Sequence, residues 1–243
     1  LKMLASKHAA RGIELLRQSG LLAEILPELI PAIGFAQNQY HDHDVYQHSL
    51  ASLHHARGDA VLKLAVLLHD IGKPATAAGP VGEHTFYGHE KKSTALAKQI
   101  LTRMRFSKAD RKRVEALISN HMFHYQEENW TDGAVRRLIN RVGSEYLADL
   151  WEIRKADARG GGKGKKESLA NLRALDRRLK SVLAKDAALK ITDLAIDGKQ
   201  VMRVLGCPPG SQVGEALQFL LEQVLDDPSL NQTETLESLL KKQ

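Results

Sequence analysis

A chain of 243 residues, 43% of them hydrophobic, is long enough for one large or two small domains with a real core. Its single cysteine, Cys207, excludes an internal disulfide framework; no run approaches the ~20 apolar residues of a membrane span and no signal peptide is visible, so the expected location is the cytoplasm. A formal net charge of +6 permits an anionic partner such as RNA without demanding one, and a start at Leu1 rather than Met reads as a piece of something longer.

Residues 8–30 predict two short helices, with Ile13, Leu15 and Leu16, then Leu21, Leu22, Ile25 and Leu26, split by Gly20 and closed at Pro27. Asp44 is a good N-cap for the next helix. On it, Val45, His48, Ser52 and Ala56 share one stripe, so His48 points inward, whereas His41, His43, His54 and His55 read as surface residues. Asp42-His43-Asp44 has the form of the paired aspartates of a nucleotidyl transferase, but no glycine-rich phosphate loop precedes it.

The run Leu64-Ala65-Val66-Leu67-Leu68 has no polar face and predicts a buried helix that ends in His69-Asp70, with Gly72 and Pro74 stopping it. A buried carboxylate is costly unless paired or metal-bound, and adjacent imidazole and carboxylate suit a divalent ion. The alternative for this pair is a helix end with a solvated aspartate. Lys73 supplies a positive charge for an anion.

Gly88-His89-Glu90 opens a helix bearing Leu96, Ile100, Leu101 and Met104. A histidine at a helix start can meet a phosphate or simply cap. His121 ends the stripe Val114, Leu117, Ile118, the usual place of a satisfied core histidine. Thr131 caps a helix with Val135, Leu138, Ile139 and Val142 inside and Arg136, Arg137 and Arg141 on its other side. The helix from Ser144 carries Leu147, Leu150, Trp151 and Arg154, and Asp157 falls on the face of Leu150. A flexible basic loop, 159–166, containing Lys163, Lys165 and Lys166, suggests a boundary. Beyond it come a long helix and a helical tail around the turn Gly206-Cys207-Pro208-Pro209-Gly210, with Asn231 and Glu234 expected to open the last helix. No strand or repeat is evident, so the fold class is all-α.

The order His48, His69-Asp70, Asp157 resembles the HD superfamily of metal-dependent phosphohydrolases, and His69-Asp70-Ile71-Gly72-Lys73 matches its signature. Leu26-Pro27-Glu28-Leu29, Tyr87-Gly88-His89-Glu90, Ala156-Asp157-Ala158-Arg159-Gly160 and Ile196-Asp197-Gly198-Lys199 look like the body and tail of bacterial CCA-adding enzymes of the poly(A) polymerase family. That resemblance covers almost the whole chain. Ser93 stands where the family often has glycine.

The resemblance implies an HD-domain helical bundle over residues 39–165, a preceding helical body segment over 1–38 and a smaller helical tail over 166–243 that binds tRNA. Nucleotidyl transfer is not expected, because the family's transferase head has no counterpart here. The HD site, where intact, is associated with phosphatase and 2′,3′-cyclic phosphodiesterase activity on RNA ends or nucleotides. The implied metal ligands are His48, His69, Asp70 and Asp157; Asp70 orients the attacking water; Lys73, His89 and His121 meet the phosphoryl oxygens, the two histidines also being the ligands of any second ion. Mixed imidazole and carboxylate ligands favour Mn, Fe, Co, Ni or Zn. The RNA contacts fall to Arg136, Arg137, Arg141, Lys163, Lys165 and Lys166. The alternative is a non-catalytic tRNA-binding part of a CCA-adding enzyme or poly(A) polymerase.

Overall fold

The computed structural model describes residues 1–39, 42–123, 125–161, 165–185 and 190–242. Among these the fold is all-α, with one isolated β-bridge between Ala78 and Thr85. In chain order the helices are α1 Lys2–Ala5, α2 Ala9–Gln18, α3 Leu21–Ile25, α4 Val45–His55, α5 Ala60–Leu68, α6 Lys73–Thr76 and α7 His89–Arg103. They continue with α8 Lys108–Ser119, α9 Asp132–Val142, α10 Leu147–Gly160, α11 Lys165–Lys185, α12 Gly198–Leu205, α13 Ser211–Asp226 and α14 Thr233–Lys241. None is long and apolar enough to cross a membrane.

The helix starts follow local chemistry. Side-chain oxygens of Asp44, Asp59, Ser107 and Thr131 accept hydrogen bonds from backbone amides in the first turns of α4, α5, α8 and α9. Asp197 and Gln200 form a reciprocal capping box on α12. Asn231 does other work than opening the last helix: Gln232 is the N-cap of α14, and the Asn231 amide bonds Ala195 N and Asp193 O.

The chain forms two units. The first comprises residues 1–124 and 145–172. Its axis is α5, where every residue from Leu62 to Leu68 is buried. Around it lie α1, α4, α7, α8 and α10, with the most extensive packing between α4 and α10. Small residues permit that packing: a Cβ at Gly160 would lie 2.6 Å from Ser52 N. The second unit comprises residues 125–144 and 173–243, and α9, α12 and α14 each pack on another of its helices, α13 meeting both α9 and α12. Leu194, Val201, Leu220, Val224, Leu236 and Leu240 are among the apolar side chains that fill its core.

This division differs from the expected 1–38, 39–165 and 166–243. Residues 1–38 are not a separate segment: α1 packs on α5 and α2 on α4, and Tyr46 Oη lies 3.2 Å from Glu14 Oε2. Residues 125–144 leave the first unit because the apolar stripe of α9 finds its partner in α13. The boundary near the basic loop moves into α11, between Leu172 and Arg173.

Candidate metal centre

Inside the first unit, four imidazoles and two carboxylates converge. His48 comes from α4, His69 from the C-cap of α5, Asp70 from the turn after it, His89 from the first residue of α7, His121 from just beyond α8, and Asp157 from α10. All are buried except Asp157, whose side chain is 20% exposed. His48 Nε2 lies 3.2 Å from Asp157 Oδ1 and 3.4 Å from Asp70 Oδ2. His69 Nε2 lies 3.4 Å from Asp70 Oδ2 and 3.7 Å from Asp157 Oδ1. On the other side of the Asp70 carboxylate, Oδ1 is 3.2 Å from His89 Nε2 and 3.6 Å from His121 Nε2, and these two nitrogens are 3.3 Å apart.

One local device orients three of the rings. Nδ1 of His69, His89 and His121 lies 2.7, 2.8 and 2.7 Å from the carbonyl oxygens of Val66, Phe86 and Ile118, each three residues earlier. A carbonyl only accepts, so Nδ1 carries the hydrogen and Nε2 of the neutral ring presents a lone pair to the centre. Metal-bound histidines use this arrangement widely. With the rings neutral, the result is a surplus of acceptors: lone pairs face each other and face carboxylate oxygens, and the buried His69 Nε2 has no hydrogen bond among the described residues. A cation resolves such a cluster. Two sets of side chains, His48–His69–Asp157 and His69–Asp70–His121, have ligand atoms mutually within 4.8 Å. The donor set therefore fits a divalent ion, and mixed nitrogen and oxygen ligands suit a transition metal.

Charge and burial act in opposition at these groups. Burial disfavours the Asp70 charge, but His69 and Lys73 outweigh it and hold the carboxyl well below the usual range. Lys73 Nζ sits 2.7 Å from Asp70 Oδ2 and 2.7 Å from Gln37 Oε1, over the Phe86 ring. Burial likewise opposes the Asp157 charge, while the facing His48 and His69 rings and Arg154 keep it low; Arg154 Nη1 is 2.5 Å from Asp157 Oδ2. Burial lowers His69 too, yet the carboxylates of Asp70 and Asp157 leave it raised overall. For His121, burial and the neighbouring His69 prevail and the ring is lowered.

The turn between His69-Asp70 and α7 is held tightly. Gly72 N donates to Ser93 Oγ at 2.9 Å, and a Cβ on Gly72 would lie 2.6 Å from both His89 O and Ser93 N. Ser93, the departure from the family's glycine, thus ties the Asp70 turn to the helix that bears His89.

The centre opens into a cavity of about 530 Å³ lined by His48, Asp70, Lys73, His89, His121 and Asp157 of the expected set. Sequence reasoning missed other lining residues, among them Asn38, Tyr87, Arg154 and Ser168. Arg154 left a signal: a charged residue on the inward stripe of α10, one turn before Asp157.

The expected RNA contacts divide. Arg141, Lys165 and Lys166 are exposed, and Lys165 lines the cavity. Arg136 is corrected to a structural role: it is buried, and its Nη1 donates to Leu225 O and Asp226 O at the end of α13. Arg137 pairs with Glu222 and Asp226. Both hold α9 to α13, because the helix face opposite the core stripe is covered by acidic and carbonyl groups that chain order did not reveal. Lys163 lies outside the described residues, as do His41 and His124.

Comparison with known proteins agrees with the resemblance to CCA-adding enzymes, and none of the following matches is to an HD phosphohydrolase. Residues 88–240 match the family described as tRNA nucleotidyltransferase domain 2, putative, and residues 1–33 match the probable RNA- and SrmB-binding site of polymerase A. The A-adding tRNA nucleotidyltransferase of Deinococcus radiodurans is 37% identical over 230 residues, 90% of this chain and 51% of that protein. The CC-adding tRNA nucleotidyltransferase of Thermus thermophilus is 32% identical over 228 residues, 91% of this chain and 50% of that protein. A multifunctional CCA protein of Nitrosococcus oceani is 30% identical over 65% of this chain and 41% of that protein. The chain thus spans about half the length of the curated relatives it matches most extensively. With the matched domain taking up more than half of its length, this chain belongs to the tRNA nucleotidyltransferase family.

Proposed function

We propose that this chain is a tRNA-binding body and tail of a cytoplasmic tRNA nucleotidyltransferase-family protein, with no nucleotidyl transfer of its own. The observation that carries the reading is the similarity along about nine-tenths of the chain to two enzymes named for adding nucleotides to tRNA. The exposed cations Arg141, Lys165 and Lys166 suit phosphate contacts. The test is tRNA binding measured over a salt series. Affinity falls steeply with salt, and charge reversal of Lys165 and Lys166 flattens the slope by about one unit for each lost phosphate contact. Salt-independent binding, or none, overturns the reading.

The converging imidazoles and carboxylates favour a second activity on the same chain: metal-dependent hydrolysis of phosphomonoesters or 2′,3′-cyclic phosphodiesters at RNA ends or in nucleotides. His48, His69, Asp70 and Asp157 would hold the ion, and His89 and His121 would be the ligands of a second. A divalent transition metal (Mn, Fe, Co, Ni or Zn) supplies Lewis acidity and acidifies water to a pKa of ~7 in favourable sites. Lys73 keeps Asp70 ionised and carries positive charge to the cavity wall, where with His89 and His121 it meets phosphoryl oxygens. Asp70 would orient the attacking water. Metal analysis with a phosphatase and cyclic phosphodiesterase assay decides between this and a non-catalytic scaffold. Turnover that needs the metal and vanishes in Asp70→Asn supports hydrolysis; bound metal without turnover leaves the tRNA-binding role alone.

A further inference from the structure

We infer that Tyr87 is the platform on which the base of a nucleotide held in this cavity stacks. This rests on the metal-centre reading for the phosphate end and adds the part of the substrate that the metal does not touch.

Tyr87 is 88% exposed, and it is the aromatic residue among the large apolar side chains left exposed in the described residues. Such exposure of a large ring needs a reason, and its place supplies one. Tyr87 lines the same cavity as the metal-ready cluster, as does the half-exposed Met122. Its position is set rather than loose: the next residue, Gly88, is the left-handed N-cap of α7 (φ 77°), and His89 N donates to Phe86 O at 3.1 Å. The backbone that presents the ring is therefore continuous with the backbone that presents His89.

The lining is chemically mixed. Asp70, Lys73, His89 and His121 belong to the centre, and the same wall includes Tyr87, Met122 and the hydrogen-bonding side chains of Asn38 and Ser168. Three cations, Lys73, Arg154 and Lys165, face two carboxylates, so the lining is net positive before any metal binds, counting histidines as neutral. A ligand complementary to such a lining carries an anionic phosphoryl group and a flat ring joined by a polar spacer. A volume of about 530 Å³ lies within the ordinary range for a small-molecule site. Aromatic stacking tolerates every base, so the platform selects for a nucleobase without selecting which one. A free nucleotide and the terminal nucleotide of an RNA present the same chemistry here.

The test is equilibrium binding of adenosine 5′-monophosphate and of ribose 5-phosphate, which keeps the charge and loses the base. Both are titrated with and without Mn²⁺ against the full chain, Tyr87→Ala and Tyr87→Trp. The nucleotide is expected to bind roughly 5- to 150-fold tighter than the sugar phosphate, the range a stacked base supplies. Tyr87→Ala should abolish that preference and Tyr87→Trp keep it. A short RNA bearing a 3′-terminal phosphate displaces the nucleotide if the natural source is an RNA end, and fails to do so if it is a free nucleotide; either result keeps the platform. Equal binding of nucleotide and sugar phosphate, or a preference that survives Tyr87→Ala, overturns it. Failure of the metal reading shows separately, as no Mn²⁺ uptake with the Tyr87-dependent preference still measurable in metal-free protein.

Discussion

The two units are built from the same kind of helix and filled differently. Of the buried polar and charged residues described, all but Arg136 belong to the first unit, and seven of them, His48, His69, Asp70, Lys73, His89, Ser93 and His121, form or brace the centre. The second unit buries leucines, valines and alanines, and its one buried cation closes the end of a helix. Burying ionisable groups stabilises a fold only when each is answered by a partner, and removing one partner is expensive. The first unit accepts that cost at its middle, where it also has a cavity; the second has no such cluster among its described residues. The difference makes the first unit sensitive to the loss of a charged partner and the second to the loss of apolar packing.

Substitutions can break this contrast. The largest effect is expected at Asp70. Asp70→Ala leaves Lys73 buried without its carboxylate and should cost ~3–5 kcal/mol in urea unfolding. Asp70→Asn keeps the shape but should weaken metal binding by more than about 100-fold, since even outer partners of metal ligands cost 10–100-fold. Metal titration followed by elemental analysis checks this, and undiminished uptake would remove Asp70 from the ligand set.

Next comes a pair of glycines. Gly160→Ala drives a Cβ to 2.6 Å from Ser52 N, so α10 must shift from α4 and carry Asp157 with it; ~1–3 kcal/mol is expected together with weaker metal binding. Gly214→Ala in α13 meets nothing within 4 Å and should stabilise by ~0.5–1 kcal/mol, because alanine is the better helix former. Thermal melts of the two variants should therefore move in opposite directions.

Arg136→Met is the corresponding lesion in the second unit. It strips donors from Leu225 O and Asp226 O, for a loss of ~1–3 kcal/mol with metal stoichiometry intact. A normal melt combined with lost tRNA binding would instead return Arg136 to the RNA-contacting set.

The smallest effect tests what the units share. Asp59→Ala and Asp197→Ala each remove a helix cap, one per unit, and each should cost ~1 kcal/mol at neutral pH. Burial opposes the Asp59 charge, but the Leu62 amide and Arg113 hold its carboxyl below 3.8. A depressed carboxyl stabilises the fold above its unfolded pKa and loses that contribution as pH falls through the folded value. The Asp59→Ala penalty should thus persist at pH 5 and shrink below pH ~3.8, as acid melts of both proteins would show.

Much of this was legible in the chain. The all-α class followed from apolar periodicity, the caps at Asp44 and Thr131 from residue type, and the burial of the His69-Asp70 helix from a run without a polar face. The inward placement of His48 and Asp157 followed from their stripes and their selection as ligands from the family resemblance; both lie beside Asp70 or His69. Arg154, Gln37 and Tyr87 escaped because their meaning depends on what lies opposite them. The basic face of α9 misled for the same reason: Arg136 and Arg137 meet acceptors 85 to 90 residues away.

By itself the sequence determined the helices, their inward faces and the chemical types available at one centre, since period, capping and adjacency act within a turn or two of chain. The tertiary structure decided which stripe met which. It sent α9 to α13 rather than to the helices of the first unit, aimed four Nε2 atoms at two carboxylates, and left Tyr87 standing at a cavity. Those outcomes depend on competition among many apolar surfaces of similar strength, which only close packing of the whole chain resolves.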